Sequence, residues 1–286
     1  MEQLFDIAGT IIRVCGADSD MSNQLGQLAA FTTESDTWDW EIHFRIVDAF
    51  PEPRGECVFI DSGRRVYKDG EVYISYIGSV ENDLRNTHIW KKRENKEGTA
   101  LIKRSAVVNR IHSKTILTAM EIEHLVVANN GFLLHASCIC NNGQAIAFTG
   151  LSGIGKSTQA ALWERLRGAE VINGDRIVIQ RSNCGFDAVG IPFSGSSGIC
   201  INRRIPLAAI VCLSQAQSTK IDAMTGIRAF RTIWEGCSLH TWDRDAVDRC
   251  SQSVQAAVNQ VPIFHLACTP DESAVLALED ALERLK

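Results

Sequence analysis

Over the first hundred or so residues, apolar positions alternate with polar ones at a period of two, broken by short polar stretches. The segments FDIAGTIIRV, WDWEIHFRIV, ECVFI and RRVYKDGEVYISYI therefore read as β-strands. In the last of these, Asp69-Gly70 separates two alternating halves, which predicts a hairpin. Residues 86–98 carry Lys91, Lys92, Arg93 and Lys96 and read as an exposed loop near a domain boundary. Trp90 beside Lys91 and Lys92 fits a solvated turn with one anchoring aromatic better than a nucleic-acid patch.

From about residue 112 the pattern changes to helices alternating with strands. Ile116, Met120 and Val127 have helical spacing, with Asn130-Gly131 as the stop. Then come FLLHASCIC, a turn at Asn141-Asn142-Gly143, and QAIAFTG. A helix over Lys156–Arg167 ends at Gly168. EVINGDRIVIQ, FDAVGIPF, PLAAIVCLS and VPIFHLAC read as further strands, and residues 225–234 and 246–258 as helices. A last helix starts with Thr269 as N-cap, Pro270 at its first position and Glu272 completing a capping box. Strands alternating with helices predict an α/β core. The division expected is a β-rich region over residues 1–105 and an α/β domain over residues 106–286.

Composition narrows the class. At 286 residues, with 45% hydrophobic and 22% charged positions, the chain can build a full globular core. A formal net charge of −5 argues against a nucleic-acid partner. No run of 18 apolar residues predicts a membrane span. The opening MEQLFD lacks a basic-then-apolar leader, so the expected compartment is the cytoplasm. The ten cysteines contain no C-x-x-C pair. Cys138 and Cys140 share one face of an apolar strand and read as small buried hydrophobes.

The chemistry concentrates at residues 150–158, GLSGIGKST, which fit the Walker A form G-x-x-x-x-G-K-[ST]. The motif follows an apolar strand and opens a helix, the context in which it forms a phosphate-binding P-loop. Gly150, Gly153 and Gly155, with Ser152, Ile154 and Thr158, let successive backbone N–H groups approach phosphate oxygens. The helix N-terminus adds its positive dipole end. Lys156 is expected to contact the β- and γ-phosphates of ATP, and Ser157 to complete a Mg²⁺ site. Asp175, an acid interrupting the apolar VINGDRIVI, is the expected second Mg²⁺ ligand, or else marks a bulge at Asn173-Gly174. His135, on the strand before the loop, is a site residue or a satisfied core histidine. Arg176 reaches a phosphate or pairs at the surface. Residues 190–202, GIPFSGSSGICIN, let backbone approach a substrate or form a surface turn. Arg203 and Arg204 neutralise an anionic substrate or are solvated. The base-reading N-K-x-D of Ras-like GTPases is absent.

These residues together resemble the catalytic domain of HPr kinase/phosphorylase, whose fold is related to the nucleotide-binding core of phosphoenolpyruvate carboxykinase. The family has a histidine fifteen residues before the first P-loop glycine, as His135 stands before Gly150, and a loop of the form G-x-S-G-x-G-K-S, matched through Ser152, Gly153, Gly155, Lys156 and Ser157. The resemblance covers roughly residues 107–286. It implies a P-loop kinase core behind a β-rich N-terminal region, with ATP, Mg²⁺ and transfer of the γ-phosphoryl group to a hydroxyl of a peptide, protein or small metabolite. On it, His135, Lys156 and Asp175 are the expected catalytic residues. The chain also departs from the family. The first of the family's adjacent aspartates, its base, is Gly174 here, and Asp175 matches the second, metal-binding one. The longer downstream signature of true HPr kinases is not recognisable, which argues against HPr itself as acceptor and against phosphorolysis. Three alternatives are a non-catalytic ATP-binding accessory protein, an ATPase driving assembly and, lower, a carboxykinase. A homo-oligomer is left open.

Overall fold

A computed structural model describes residues 2–16, 25–61, 63–78, 87–94, 96–106 and 113–285. The chain divides into two compact units, Met1–Ile122 and Glu123–Lys286. The fold is mixed α/β.

The first unit is a nine-stranded sheet of β1 (Glu2–Ile7), β2 (Thr10–Cys15), β3 (Thr32–Thr33), β4 (Trp40–Val47), β5 (Glu56–Ile60), β6 (Arg64–Asp69), β7 (Val72–Gly78), β8 (Thr87–Glu94) and β9 (Glu97–Lys103), in the order β3-β1-β2-β4-β9-β8-β7-β6-β5. FDIAGTIIRV is not one strand. Ala8 and Gly9, both at positive φ (54° and 82°), turn the chain so that Phe5 pairs Ile12 across a hairpin. An alanine rarely takes that conformation, which hides the turn in the sequence. The Asp69-Gly70 hairpin forms as β6–β7, with Asp69 paired to Val72. The polar stretch expected as a loop is instead largely strand: β8 pairs β7 on one side and β9 on the other, and Lys96 sits at the turn with φ 63°. Pairing on both sides outweighs the charged composition that suggested a loop. Asn86 and Asn95 lie outside the described residues.

α1 (Ser113–Met120) closes the first unit, and α2 (Ile122–Ala128) follows after Glu121 at φ 47°, so the expected single helix is two. The second unit is built on two long strands. β10 (Gly131–Asn141) pairs β13 (Arg176–Ser182) along its first half, and β11 (Gln144–Thr149) and β12 (Glu170–Asn173) along its second. The β10–β11 turn uses Asn142 (φ 50°) and Gly143 (φ 77°). β14 (Gly185–Gly190) joins β13 to β15 (Arg204–Gln215). β15 runs parallel to β11 and, after β16 (Lys220–Ala223) and β17 (Cys237–Ser238), to β18 (Ile263–Cys268).

Each face of this sheet is covered. Ala145, Ala147, Ile210 and Cys212 point into the core shared with α4 (Gly226–Glu235) and α5 (Arg244–Gln260). Ile146, Phe148, Val211 and Leu266 point into the core shared with α3 (Lys156–Arg167) and α6 (Glu272–Glu283). Cys138 and Cys140 are buried in the first of these cores, as their two-residue spacing predicts. Trp163, fully buried in the second, ties α3 to the sheet; its truncation to alanine would cost about 3–5 kcal/mol. The start of α6 differs from expectation. Asp271, not Thr269, is its N-cap and accepts from the Ser273 N–H at 2.9 Å, while the Thr269 hydroxyl donates to the same carboxylate. Among the described residues, no helix is long and apolar enough to cross a membrane.

Candidate active site

β11 delivers the chain to the loop at residues 150–155, and α3 leaves it. Gly153 (φ 76°) and Gly155 (φ 115°) hold left-handed backbone, and a Cβ added at either would meet nothing within 4 Å. Open space thus lies beside the main chain at both glycines, and we call this part of the loop the cradle. No side chain caps α3, so helix geometry leaves its first-turn N–H groups to serve an anion. Lys156 is 7% exposed, and its ammonium donates to the carbonyl oxygens of Gly150 and Leu151, each at 3.1 Å. Burial lowers the Lys156 pKa and the charge of Asp175 opposes the shift, which ties the two across the site. Ser157 and Thr158 are exposed on the first turn of α3. Beside the loop lies a cleft of about 430 Å³ lined by Gly153, Gly155, Thr158, Leu213, Gln215 and Pro270.

Asp175 occupies the break between β12 and β13, so EVINGDRIVIQ is two strands rather than one. The break is made by Asn173, which is fully buried. Its side-chain oxygen accepts from the N–H groups of Asp175 (2.9 Å) and Arg176 (3.0 Å), and its amide donates to the Ile191 carbonyl. The Ala136 N–H then donates to the Asp175 carbonyl at 3.0 Å, which fixes the aspartate beside β10. His135, one residue earlier on β10, approaches the Asp175 carboxylate at 3.5 Å through Nε2. The His135 pKa is lowered, first by burial and then by Lys156; Asp175 pulls it back up, and Arg176 adds a smaller downward push. At neutral pH the imidazole is therefore uncharged and able to take a proton.

Arg176 spans Asp175 (3.5 Å) and Glu123 (3.8 Å) and stacks its guanidinium over Phe193. Arg203 and Arg204 pair within the protein, the first with Glu170 and the second with Gln180 and Asp187. Both side chains remain partly exposed. The glycine-rich segment after β14 packs directly on the aspartate: a Cβ at Gly195 would lie 2.8 Å from Asp175 Cβ and 3.1 Å from its Oδ1. At Gly174 a Cβ would overlap the Ser197 hydroxyl and lie 2.6 Å from Ser197 Cβ. Sequence reasoning brings His135, Lys156 and Asp175 together but passes over Asn173 and Gly195 as positioning residues. The Asn-Gly-Asp order is the available signal for Asn173; Gly195 leaves none, because its role is set by a contact distant in sequence.

No family model matches the chain, and no curated protein does. Among solved structures, the chain is similar to one described as the Hpr(Ser) kinase/phosphatase from Coxiella burnetii, at 15% identity and a TM-score of 0.29, over 54% of this chain and 88% of that one. At that score the likeness does not bear on the chemistry of the site.

Proposed function

We propose that the chain is an ATP-dependent kinase that transfers the γ-phosphoryl group to a hydroxyl of a peptide, protein or small metabolite. One observation carries the proposal: an uncapped helix N-terminus behind a glycine cradle, with a buried Lys156 coupled electrostatically to Asp175 and, through it, to His135. The open cradle fits a triphosphate. Its glycines leave room for phosphate oxygens, and the backbone N–H groups, helix dipole and ammonium all favour the anion.

In this reading Gly150, Ser152, Gly153, Ile154, Gly155 and Thr158 would hold the triphosphate, with the cleft beside them taking the nucleoside. Lys156 would neutralise charge at the β- and γ-positions. Ser157 and Asp175 would hold Mg²⁺, which when bound supplies charge neutralisation between phosphate oxygens. His135, uncharged and with its Nε2–H turned to the Asp175 carboxylate, would orient the acceptor hydroxyl and take its proton at Nδ1. Phosphoryl transfer is largely dissociative and needs little base strength, so positioning and electrostatics would do most of the work.

One observation favours a second reading. The position of the resembled family's base is Gly174, and Ser197 fills the space a side chain there would need. This supports an ATP-binding accessory protein that does not transfer phosphate. Incubation with γ-labelled ATP, Mg²⁺ and pools of peptide and small hydroxyl acceptors separates the two. Label reaching an acceptor with the wild type and not with Lys156→Ala supports the kinase. Lys156-dependent ATP binding with no label on any acceptor supports the accessory role. ADP release without a labelled acceptor supports an ATPase.

A further inference from the structure

A second group of reactive side chains lies in the first unit. β2 and β4 run parallel, with Cys15 paired to His43 and Arg13 to Glu41. Residues two apart on a strand share a face. Ile12, Val14, Ile42 and Phe44 take the buried positions, so Arg13, Cys15, Glu41 and His43 gather on the other face. One carboxylate oxygen, Glu41 Oε1, receives both the His43 Nε2 contact at 2.8 Å and the Cys15 thiol at 3.6 Å. The sulfur, nitrogen and oxygen all lie within 4.8 Å of one another. The other oxygen of Glu41 is held by Arg13 at 3.4 Å, while Arg13 itself is neutralised by Glu2 at 2.8 Å and rests over Trp38.

We propose that Cys15, Glu41 and His43 form a binding site for a divalent, borderline-soft metal ion of the Zn²⁺ class. A thiolate, a carboxylate and a neutral imidazole balance a +2 ion, and one sulfur with one nitrogen disfavours Mg²⁺ and Ca²⁺, which prefer oxygen alone. Binding releases the Cys15 thiol proton to solvent and shifts the imidazole proton from Nε2, where it faces Glu41, to Nδ1, so that Nε2 donates to the metal. Three protein ligands leave a fourth position. His43 is 38% exposed, so that position opens to water or to a partner's side chain. Arg13 serves as the outer partner that orients Glu41. The site lies wholly in the first unit, and its test does not pass through ATP.

The test is Co²⁺ titration of the chelator-treated full chain, followed by Zn²⁺ competition. One equivalent of Co²⁺ is expected to produce a thiolate-to-cobalt charge-transfer band in the near ultraviolet. Cys15→Ser should abolish the band. His43→Gln should weaken Zn²⁺ affinity by more than the roughly 10- to 100-fold that loss of an outer-shell partner costs. Cys57→Ser, at an exposed cysteine elsewhere in the same unit, should change nothing. Circular dichroism checks the fold of each variant, and His43→Gln carries the test if Cys15→Ser does not fold. The proposal is overturned if the wild type gives no band, if the band survives Cys15→Ser, or if folded His43→Gln binds Zn²⁺ as tightly as the wild type.

Discussion

At Gly153 and Gly155 an added side chain would meet open space, whereas at Gly174 it would meet Ser197 and at Gly195 it would meet Asp175. The first pair keeps a surface bare; the second pair lets two segments of chain touch. Gly153, Gly155 and Gly195 lie in glycine-rich stretches that look alike in the sequence, while Gly174 stands alone after Asn173. The difference teaches that glycine serves this site in two ways, as open space beside the loop and as room for protein. Substitutions should therefore separate binding from positioning and from stability.

The largest effect is expected at the cradle. If the proposed function holds, Gly153→Ala should weaken MgATP binding about 100-fold by filling the space proposed for phosphate. The left-handed backbone costs only about 1–2 kcal/mol of stability. Calorimetric titration beside a denaturant melt checks both numbers, and a variant that loses stability but keeps affinity would erase the distinction between the two glycine pairs. Next comes Gly195→Ala, whose methyl group would press on Asp175. Turnover should fall about 10-fold, because small displacements near reacting atoms are costly. Affinity for ATP without Mg²⁺ should stay within about 3-fold, since the cradle is untouched. Steady-state kinetics set against equilibrium binding gives that split.

How far the sequence discloses this arrangement depends on the range of the interactions. The strand–loop–helix turn at residues 150–158 is legible because glycine spacing, lysine and helix start act within nine residues. The alternation that puts Cys138 and Cys140 on one face is legible for the same reason. The break between β12 and β13 is half legible: Asn173-Gly174 signals a bulge, but the bond from the Asn173 amide reaches Ile191, just beyond the end of β14 and eighteen residues on. The contacts of Gly195 with Asp175, and of Cys15 with Glu41 and His43, join residues more than nineteen positions apart and cannot be read locally. The β8 strand escapes a local reading because pairing on both sides outweighs composition, and the β1–β2 turn because alanine seldom adopts positive φ.

Restoring the resembled family's aspartate sharpens the comparison further. Gly174→Asp should not raise the rate of phosphoryl transfer; instead it should destabilise the fold by about 1–3 kcal/mol, since Ser197 must be displaced. Gly174→Asp paired with Ser197→Gly should recover part of that loss, and thermal melts of the single and double variants measure it. A gain in turnover by the single variant would mean the segment yields more easily than its packing suggests.

The smallest effect is that of pH on His135. Its pKa is lowered on folding, so the native protein takes up this proton less readily than the unfolded chain. Its contribution to stability is full above the ordinary imidazole value and is lost as pH falls through the lower native value. Turnover should fall over the same acidic window if His135 takes the acceptor's proton. His135→Gln should remove that limb of the pH–rate profile along with the matching slope in stability, while an unchanged acidic limb would assign it to another group.

The proposed function rests on triphosphate binding through Lys156, and calorimetric titration of the wild type and Lys156→Ala with MgATP tests it most directly. The expected result is one site per chain in the wild type, weakened about 100-fold or more by the substitution, with both proteins melting alike in the absence of nucleotide. Equal affinity in the two proteins, or no binding by the wild type, would contradict that role.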